Sequence, residues 1–438
     1  MKVLLKYIFW LLSLLFLIIY YFLGTTLGHA NVGYLLEGYY SKLLGNKIEI
    51  LSLNIANYPI IIAEMKINDT ARFSLNGNAD TKNIDMQYHL RGERFTWNNH
   101  DDILHPINLK GSMKGKLSEL LVKGEGEIFY GKMSYSFIRK EHQVEALEVA
   151  FNDISSKDLL TFLKYDLAIE GEVDLFLHFD YFSAFRKKGL AKIAMKKAKL
   201  PKILEEVDFI LNGEIVYTDL LRDFFVDIHS DIGKLNITKG FYNKSAELIQ
   251  AEYTLQINEL SDFEEFLGHP YQGKLNTEGN AKYELEKLSL LGETATYGGV
   301  LGYNYQNNYL KLDFNGVSLE ELLRQLSFPA LLSSKVYGIA SYDMKDDIIF
   351  VDTKLKETRF RRTKMTDTFY DLTDIDILKD VYDNSMFTAG YQDAILTSFL
   401  QIDNGINHLY LPDTKMDAKT NGIKADFEMF IDGEEFVG

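Results

Sequence analysis

Leu167-Ala168-Ile169-Glu170-Gly171-Glu172-Val173-Asp174-Leu175-Phe176-Leu177-His178-Phe179-Asp180-Tyr181 is the stretch from which the fold is read. Leu167, Ile169, Val173, Leu175, Leu177, Phe179 and Tyr181 share one parity, with Gly171 among them. Glu170, Glu172, Asp174, His178 and Asp180 share the other. A period of two predicts a strand with one dry face and one wet face. The split recurs at Ile249, Ala251, Tyr253, Leu255 and Ile257, with Glu252, Thr254 and Gln256 opposite, and again at Leu310, Leu312 and Phe314. Shorter alternating runs such as Ile48-Glu49-Ile50 and Phe73-Ser74-Leu75 fill Ile48 to Leu90. Glycines at 111, 115, 124, 126 and 131 punctuate Leu109 to Phe137 into a predicted meander.

A ten-residue phrase punctuates this pattern four times, starting at Phe151, Ile257, Phe314 and Phe369, with spacings of 106, 57 and 55 residues. Each copy closes a strand-like run and places Ser or Thr three residues before Asp or Glu: Ser155 and Asp158, Ser261 and Glu264, Ser318 and Glu321, Thr373 and Asp376. That is capping-box spacing, with the carboxylate reaching back to the cap residue's own N–H. A glycine in a new alternating run follows each (Gly171, Gly279, Gly338, Gly390). The repeated unit therefore reads strand, short helix, strand. A degenerate copy is expected near residues 200–220, and a period of this size points to an elongated array.

A sheet with one apolar face must bury that face, and the expected helices are too short and too few to cover it. A closed barrel, a two-sheet sandwich and a sheet curled into a trough remain; a lengthening array suits the trough. An apolar trough too wide for its own side chains would hold an acyl chain. The groove candidates are Leu167, Ile169, Val173, Leu175, Leu177, Phe179, Ile249, Tyr253, Leu255, Leu310, Leu312 and Phe314.

The N-terminus suggests where the ligand would come from. Tyr7 to Leu23 is seventeen apolar or aromatic residues broken only by Ser13. That is about 25 Å of helix, near the lower limit for spanning hydrocarbon. Lys2 and Lys6 precede the run and Glu37 is the next charge, so residues 1–6 are expected in the cytoplasm and the chain beyond Gly24 across the membrane. Tyr7, Trp10, Phe16 and Leu23 are the anchor candidates over 7–24. A cleaved signal peptide, with Gly28 and Ala30 before Asn31, is the competing reading; the long run and His29 speak against it. Residues 31–45 carry Val32, Leu35, Leu36, Tyr39, Tyr40, Leu43 and Leu44 at helical spacing with Gly45 at the end. They predict a membrane-proximal helix that lies along the membrane surface or caps the first strand.

The chain has 438 residues, no cysteine and a net charge of −16. The charge argues against nucleic acid as a partner. The missing cysteines exclude disulfides, thiolate metal sites and cysteine nucleophiles. With 6 prolines against 27 tyrosines and 29 phenylalanines, the composition favours strands. One basic segment, Arg186 to Lys199, reads as an amphipathic helix. Either it links parts of the sheet, or it rests on an anionic membrane through Lys187, Lys188, Lys192, Lys196 and Lys197. A second basic run, Lys354 to Lys364, reads as a wet strand face. No hydrolase elbow, P-loop, dinucleotide fingerprint or zinc-protease motif is present. His100, Asp101, Asp102 and His105 have the composition of a metal site and equally of a polar loop before Pro106. His229-Ser230-Asp231 cannot act as a triad within one strand, because neighbours face opposite ways. Glu434-Glu435 follows Gly433 in a turn. No enzyme, metal or cofactor is expected.

An apolar N-terminal span, glycine-punctuated runs such as Leu109-Lys110-Gly111-Ser112-Met113-Lys114-Gly115, the recurring phrase, and Phe399-Leu400-Gln401-Ile402-Asp403-Asn404-Gly405-Ile406 together resemble the AsmA-like proteins of Gram-negative envelopes, related in architecture to TamB. The resemblance covers most of the chain after Gly24. It implies a mainly β fold: an N-terminal transmembrane helix, then an elongated, curled, repeat-like antiparallel β-groove over 46–438 with short capping helices. The implied setting is the inner membrane with the bulk of the chain in the periplasm. The implied role is carrying phospholipid between envelope membranes, as bridge-like lipid transporters do, in support of outer-membrane integrity. The chain is short for a bridge. The reading from another class is a periplasmic scaffold offering strand edges to outer-membrane proteins; an enzyme acting on envelope glycans stands third. Continuity of the apolar face separates the first two: a conduit needs it unbroken, whereas a scaffold needs only a dry core in each unit.

Overall fold

The computed structural model describes residues 17, 21 and 25–438, apart from 81, 94–105, 142, 164, 166–168, 184–185, 201–203, 265–267, 269, 327 and 421. The anchor candidates Tyr7, Trp10, Phe16 and Leu23 lie outside these residues, as do Leu167 and the cluster His100, Asp101, Asp102 and His105. Among the described residues no helix is long and apolar enough to cross a membrane.

The chain divides into two compact units, Met1–Asp223 and Phe224–Gly438. In the first, helix α1 (Thr26–Leu44) precedes β1 (Ile48–Asn54), β2 (Ile60–Ile67), β3 (Ala71–Ala79), β4 (Ile84–Gly92), β5 (Ile107–Lys116), β6 (Glu119–Ile128), β7 (Gly131–Lys140) and β8 (Gln143–Ser155). Then come α2 (Ser156–Phe162), β9 (Glu172–Phe182), β10 (Lys187–Leu200) and β11 (Leu204–Thr218). Each strand pairs antiparallel with the next. Strand β12 (Leu221–Ser230) crosses the division.

The second unit continues with β13 (Gly233–Asn243), β14 (Leu248–Ile257), β15 (Leu275–Glu284), β16 (Lys287–Thr296), β17 (Gly299–Gln306), β18 (Tyr309–Ser318), α3 (Leu319–Gln325), β19 (Leu332–Asp343) and β20 (Ile348–Phe360). It ends with α4 (Lys364–Thr373), β21 (Ser385–Gln392), β22 (Ile395–Asp403), β23 (His408–Asp417), β24 (Gly422–Lys424), β25 (Glu428–Ile431) and β26 (Glu434–Val437). From β13 to β23 each strand again pairs with the next. Strand β23 then takes both β24 and β25, and β25 takes β26. The protein is mainly β and antiparallel, as the alternating runs predict.

Two of the four phrases start a helix on the expected serine, but without the expected return bond from the carboxylate. Ser155 Oγ accepts from the Asp158 N–H (3.3 Å) at the start of α2, and Ser318 Oγ accepts from the Glu321 N–H (3.3 Å) at the start of α3. The cap residue's own N–H goes elsewhere. Ser155 donates to the Phe129 carbonyl (3.0 Å) and Ser318 to the Tyr297 carbonyl (2.8 Å). Both acceptors are in hairpin turns whose central residues have positive φ, Phe129 and Tyr130 in one and Tyr297 and Gly298 in the other. Each helix start is thereby tied to the hairpin that opens the strand before its own.

The other two phrases differ from the expectation. Leu260–Phe263 is a 3-10 turn led by Glu259, which makes no side-chain cap, and Ser261 lies inside the turn. Glu259 instead accepts from the Gly273 N–H. At the fourth phrase the helix comes ten residues early. Thr363 and Thr366 form a reciprocal capping box for α4, and Thr373 ends that helix with Asp374 left-handed behind it. A threonine hydroxyl at the third helical position replaces the carboxylate of the usual signal. The expected copy near 200–220 is absent from the described residues there, which form β11 and a turn.

The basic segment is a strand, not a helix. A spacing of four, as in Lys188, Lys192 and Lys196, keeps one face of a helix and equally one face of a strand, so the lysines do not discriminate. Their partners do: Lys188 meets Asp180 (3.4 Å), Lys192 meets Glu214 (3.2 Å) and Lys196 meets Asp174 (3.6 Å), all on the neighbouring strands β9 and β11. Lys187 lies over the Phe182 ring, and Lys197 takes a positive φ at a bulge. Exposed pairs of this kind add little stability, but opposite charges across strands favour the register.

Among the buried apolar side chains, two sets sit beside the helices. Ile154, Val173 and Met195 are cross-strand neighbours next to α2; Val317, Val336 and Leu355 are neighbours next to α3. A further cluster of Ile375, Ile377, Met429 and Ile431 gathers Phe360, Phe369, Leu409 and Phe436.

Candidate functional site

The strand registers turn the separate alternating runs into continuous apolar rows. In the first unit one row runs Ile50, Met65, Phe73, Leu90, Leu109, Gly126, Met133, Phe151, Leu175, Ile193, Gly213, one residue from each of β1 to β11. No charged side chain enters it. The next row on the same face passes through Leu53, Ala63, Leu75, Tyr88, Gly111, Gly124, Tyr135, Val149, Leu177, Ala191 and Ile215. In the second unit a row runs Tyr253, Gly279, Gly292, Tyr303, Leu312, Ala340, Val351, Ala389.

This face is apolar without being dry. Phe73, Leu75, Leu90, Leu175, Leu177, Leu255 and Leu312 are half-buried. Ile249, Tyr283 and Leu288, one row of the second unit, are 38%, 43% and 42% exposed. A packed core would leave such residues almost no exposure, and contiguous apolar surface left open on a soluble face marks a binding surface.

The candidates from the sequence separate on this map. Leu175, Leu177, Tyr253, Leu255, Leu310, Leu312 and Phe314 lie on the open part of the face, and Ile249 lies at its exposed margin. Val173 and Phe179 share the face but are 1% and 5% exposed, so they belong to the core beside the groove candidates. Ile169 precedes β9, and its carbonyl accepts from Ser156 Oγ (2.9 Å). The residues of β1 to β7 on the same rows, though read as strands, were not among the groove candidates. Their runs are short, and glycines hold their parity.

Those glycines carry a feature that both units share. Tyr88, Gly111, Gly124 and Tyr135 are direct cross-strand neighbours on β4 to β7; Tyr253, Gly279, Gly292 and Tyr303 are direct neighbours on β14 to β17. In both sets the two tyrosines lean inward over the two glycines until their hydroxyls meet at 2.6 Å. A Cβ on Gly111 would stand 2.4 Å from Tyr88 Oη, and one on Gly292 would stand 2.5 Å from Tyr303 Oη. Only glycine leaves room for the rings. The first arch ends on the Lys123 carbonyl, to which Tyr88 Oη donates (3.2 Å). The second has an extra link: Tyr303 Oη lies 2.6 Å from Thr277 Oγ1, which donates to the Glu293 carbonyl (3.0 Å). Burial, and then the hydrogen bond to its partner, pushes Tyr88 and Tyr253 well above the ordinary tyrosine value. Burial also raises Tyr135. These hydroxyls therefore remain neutral donors across the physiological range.

The wet face behind each arch is shallowly concave and differs between the units. In the first, a cavity of about 710 Å³ is lined by His89, Lys110, Lys123 and Glu125 with serines, Asn76 and Gln87. In the second, a cavity of about 580 Å³ is lined by Glu252, Glu278 and Glu293 with Thr254 and Asn280. No arrangement suited to bond-making chemistry appears among the described residues. His229 Nε2 lies 2.6 Å from Asp227 Oδ2, while Ser230 Oγ donates to the Gly233 carbonyl (3.2 Å), so the serine has no base. No group of His, Asp and Glu among the described residues could hold a metal ion. Glu434 and Glu435 open β26 after the Gly433 turn, and Lys354 and Lys356 stand on the exposed side of β20, opposite buried Thr353 and Leu355.

No protein-family model, curated protein or solved structure matches this chain.

Proposed function

We propose that this chain is an inner-membrane-anchored envelope protein of the AsmA-like, TamB-related kind, with the bulk of the chain in the periplasm. In this reading it carries phospholipid on the apolar β-face of its two units and so supports outer-membrane integrity. The observation that carries the reading is the unbroken apolar row across eleven consecutive strands of the first unit, partly exposed at every position but buried Leu109, and repeated in kind in the second. An acyl chain is a flexible apolar ligand that needs continuous apolar surface and no directional partner. A row free of charge offers that surface at every strand. The alternative of an assembly scaffold with a dry apolar face accounts less well for the side chains left partly exposed along most of the row.

The test replaces open residues rather than core residues. Leu177→Asp and Leu312→Asp place a charge on the open face of each unit, where Phe179→Asp would bury a charge and unfold the first unit. Mass spectrometry of the detergent-extracted chain should find phospholipid on the wild type and several-fold less on the double variant, with circular dichroism unchanged. Wild-type protein free of lipid, or undiminished lipid on a folded variant, would end the proposal.

A further inference from the structure

Helix α1 presents its apolar side outward. Leu27, Tyr34, Leu35 and Tyr39 are 70%, 76%, 67% and 61% exposed, while Gly28, His29 and Gly33 are buried. Leu27, Asn31, Tyr34, Leu35, Gly38 and Lys42 recur at intervals of three and four, so they share one side of the helix. The inward side is fixed to the first strand of the apolar face. Ser41 Oγ accepts from the Ile48 N–H (2.9 Å), Glu37 Oε1 accepts from the Ile50 N–H (2.5 Å), and Gly33 rests on the Ile50 side chain. Glu37, the helix's single acidic residue, is thus spent inward, and the one charged group left on the outward side is Lys42.

We infer that the outward side of α1 docks on a phospholipid bilayer surface and holds the β1 end of the apolar face against it as the point of lipid entry. The chain supplies three reasons for that occupant. The apolar run Tyr7–Leu23 ends just before the helix, and the Tyr21 hydroxyl accepts a hydrogen bond from Asn31 Nδ2 (2.7 Å), tying the helix to the end of that run. Tyrosine with leucine is the composition favoured at the boundary of headgroup and acyl chain, where a ring is half solvated. The outward side bears a cation and no anion, which suits lipid phosphates. The entry role rests on the lipid-carrying proposal; the docking does not.

The chain has no cysteine, so Leu35→Cys and Leu117→Cys each give a unique labelling site; Leu117 is an exposed reference (70%) in the β5–β6 turn. The full chain is placed in phosphatidylcholine–phosphatidylglycerol vesicles containing spin-labelled lipid. A fluorophore at the Leu35→Cys site should be quenched several-fold more than one at the Leu117→Cys site. Equal quenching overturns the docking, whatever lipid the apolar face holds. The double variant Tyr34→Asp, Leu35→Asp should then lose most of its co-purifying phospholipid while its circular dichroism stays unchanged. Full retention of lipid overturns the entry role. If the wild-type chain holds no lipid, the entry role fails together with the functional proposal, and the quenching still decides the docking.

Discussion

The two units carry the same arch on one face of their strands and differ in charge on the other, which is mixed in the first unit and acidic in the second. Tyr88 and Tyr135 meet over Gly111 and Gly124 as Tyr253 and Tyr303 meet over Gly279 and Gly292. Three of these positions, Gly111, Gly124 and Tyr135, are offset by a constant 168 residues from Gly279, Gly292 and Tyr303. Behind the arches, Lys110 in one unit stands where Glu278 stands in the other, and Gln87 and Lys123 stand where Glu252 and Leu291 stand, while Glu125 and Glu293 agree. The difference shows which face is constrained. The arch fits only when four side chains on four strands agree in size, whereas a solvated face accepts any polar side chain at little cost.

If the arches are equivalent, Gly124→Ala and Gly292→Ala should be damaging to a similar degree. Each added methyl stands 2.5 Å from a tyrosine hydroxyl, of Tyr135 or of Tyr303, and at Gly292 it also meets the Glu278 carbonyl at 2.4 Å. Overpacking of this kind costs about 1–3 kcal/mol, which lowers the melting temperature by about 2–4 °C for each kcal/mol in a unit of this size. Gly302→Ala, with nothing nearer than 3.5 Å, should stay within about 0.5 kcal/mol. Calorimetry showing Gly124→Ala as mild as Gly302→Ala would break the comparison at its root.

Removing hydroxyls sharpens it. Tyr303→Phe loses the bonds to Tyr253 and Thr277, while Tyr135→Phe loses only the bond to Tyr88. At about 1 kcal/mol for each net hydrogen bond, urea unfolding should show Tyr303→Phe costing about twice as much. Equal costs would mean that the extra link in the second arch contributes nothing.

The caps test the helix ends in the same paired way. Ser155→Ala and Ser318→Ala should each cost about 1 kcal/mol, because each removes one acceptor of the same geometry. The smallest effect is alkaline. Tyr88 and Tyr253 have folded values above the unfolded value of 10.0. Their stabilisation is therefore complete below about pH 10 and lost as pH rises, since the unfolded state releases its protons first. The melting temperature should fall beyond about pH 10, and fall less steeply in Tyr88→Phe. A profile unchanged by that substitution would mean that the tyrosine is not the titrating group.

Much of the fold was legible in sequence because strand parity is a local property. Leu175 and Leu177 alternate with Asp174 and Phe176 whatever lies beside them. The same locality misled at Lys187 to Lys199, where a spacing of four fits both periods and only Asp174, Asp180 and Glu214 on neighbouring strands decide. It misled again at Thr373, because a hydroxyl three residues before an acid describes a helix end as readily as a start.

By itself, then, the sequence determined that this chain is mainly β, which residues alternate along each run, and where two serine-capped helices begin, since all of these depend on neighbours within about four residues. The tertiary structure alone decided the rows. Whether Gly111 stands beside Tyr88, or Leu175 beside Phe151, is fixed by hairpin length and bulges across tens of residues, and a slip of one residue would turn every side chain to the other face. The apolar face, and the function proposed for it, exist only in that registration.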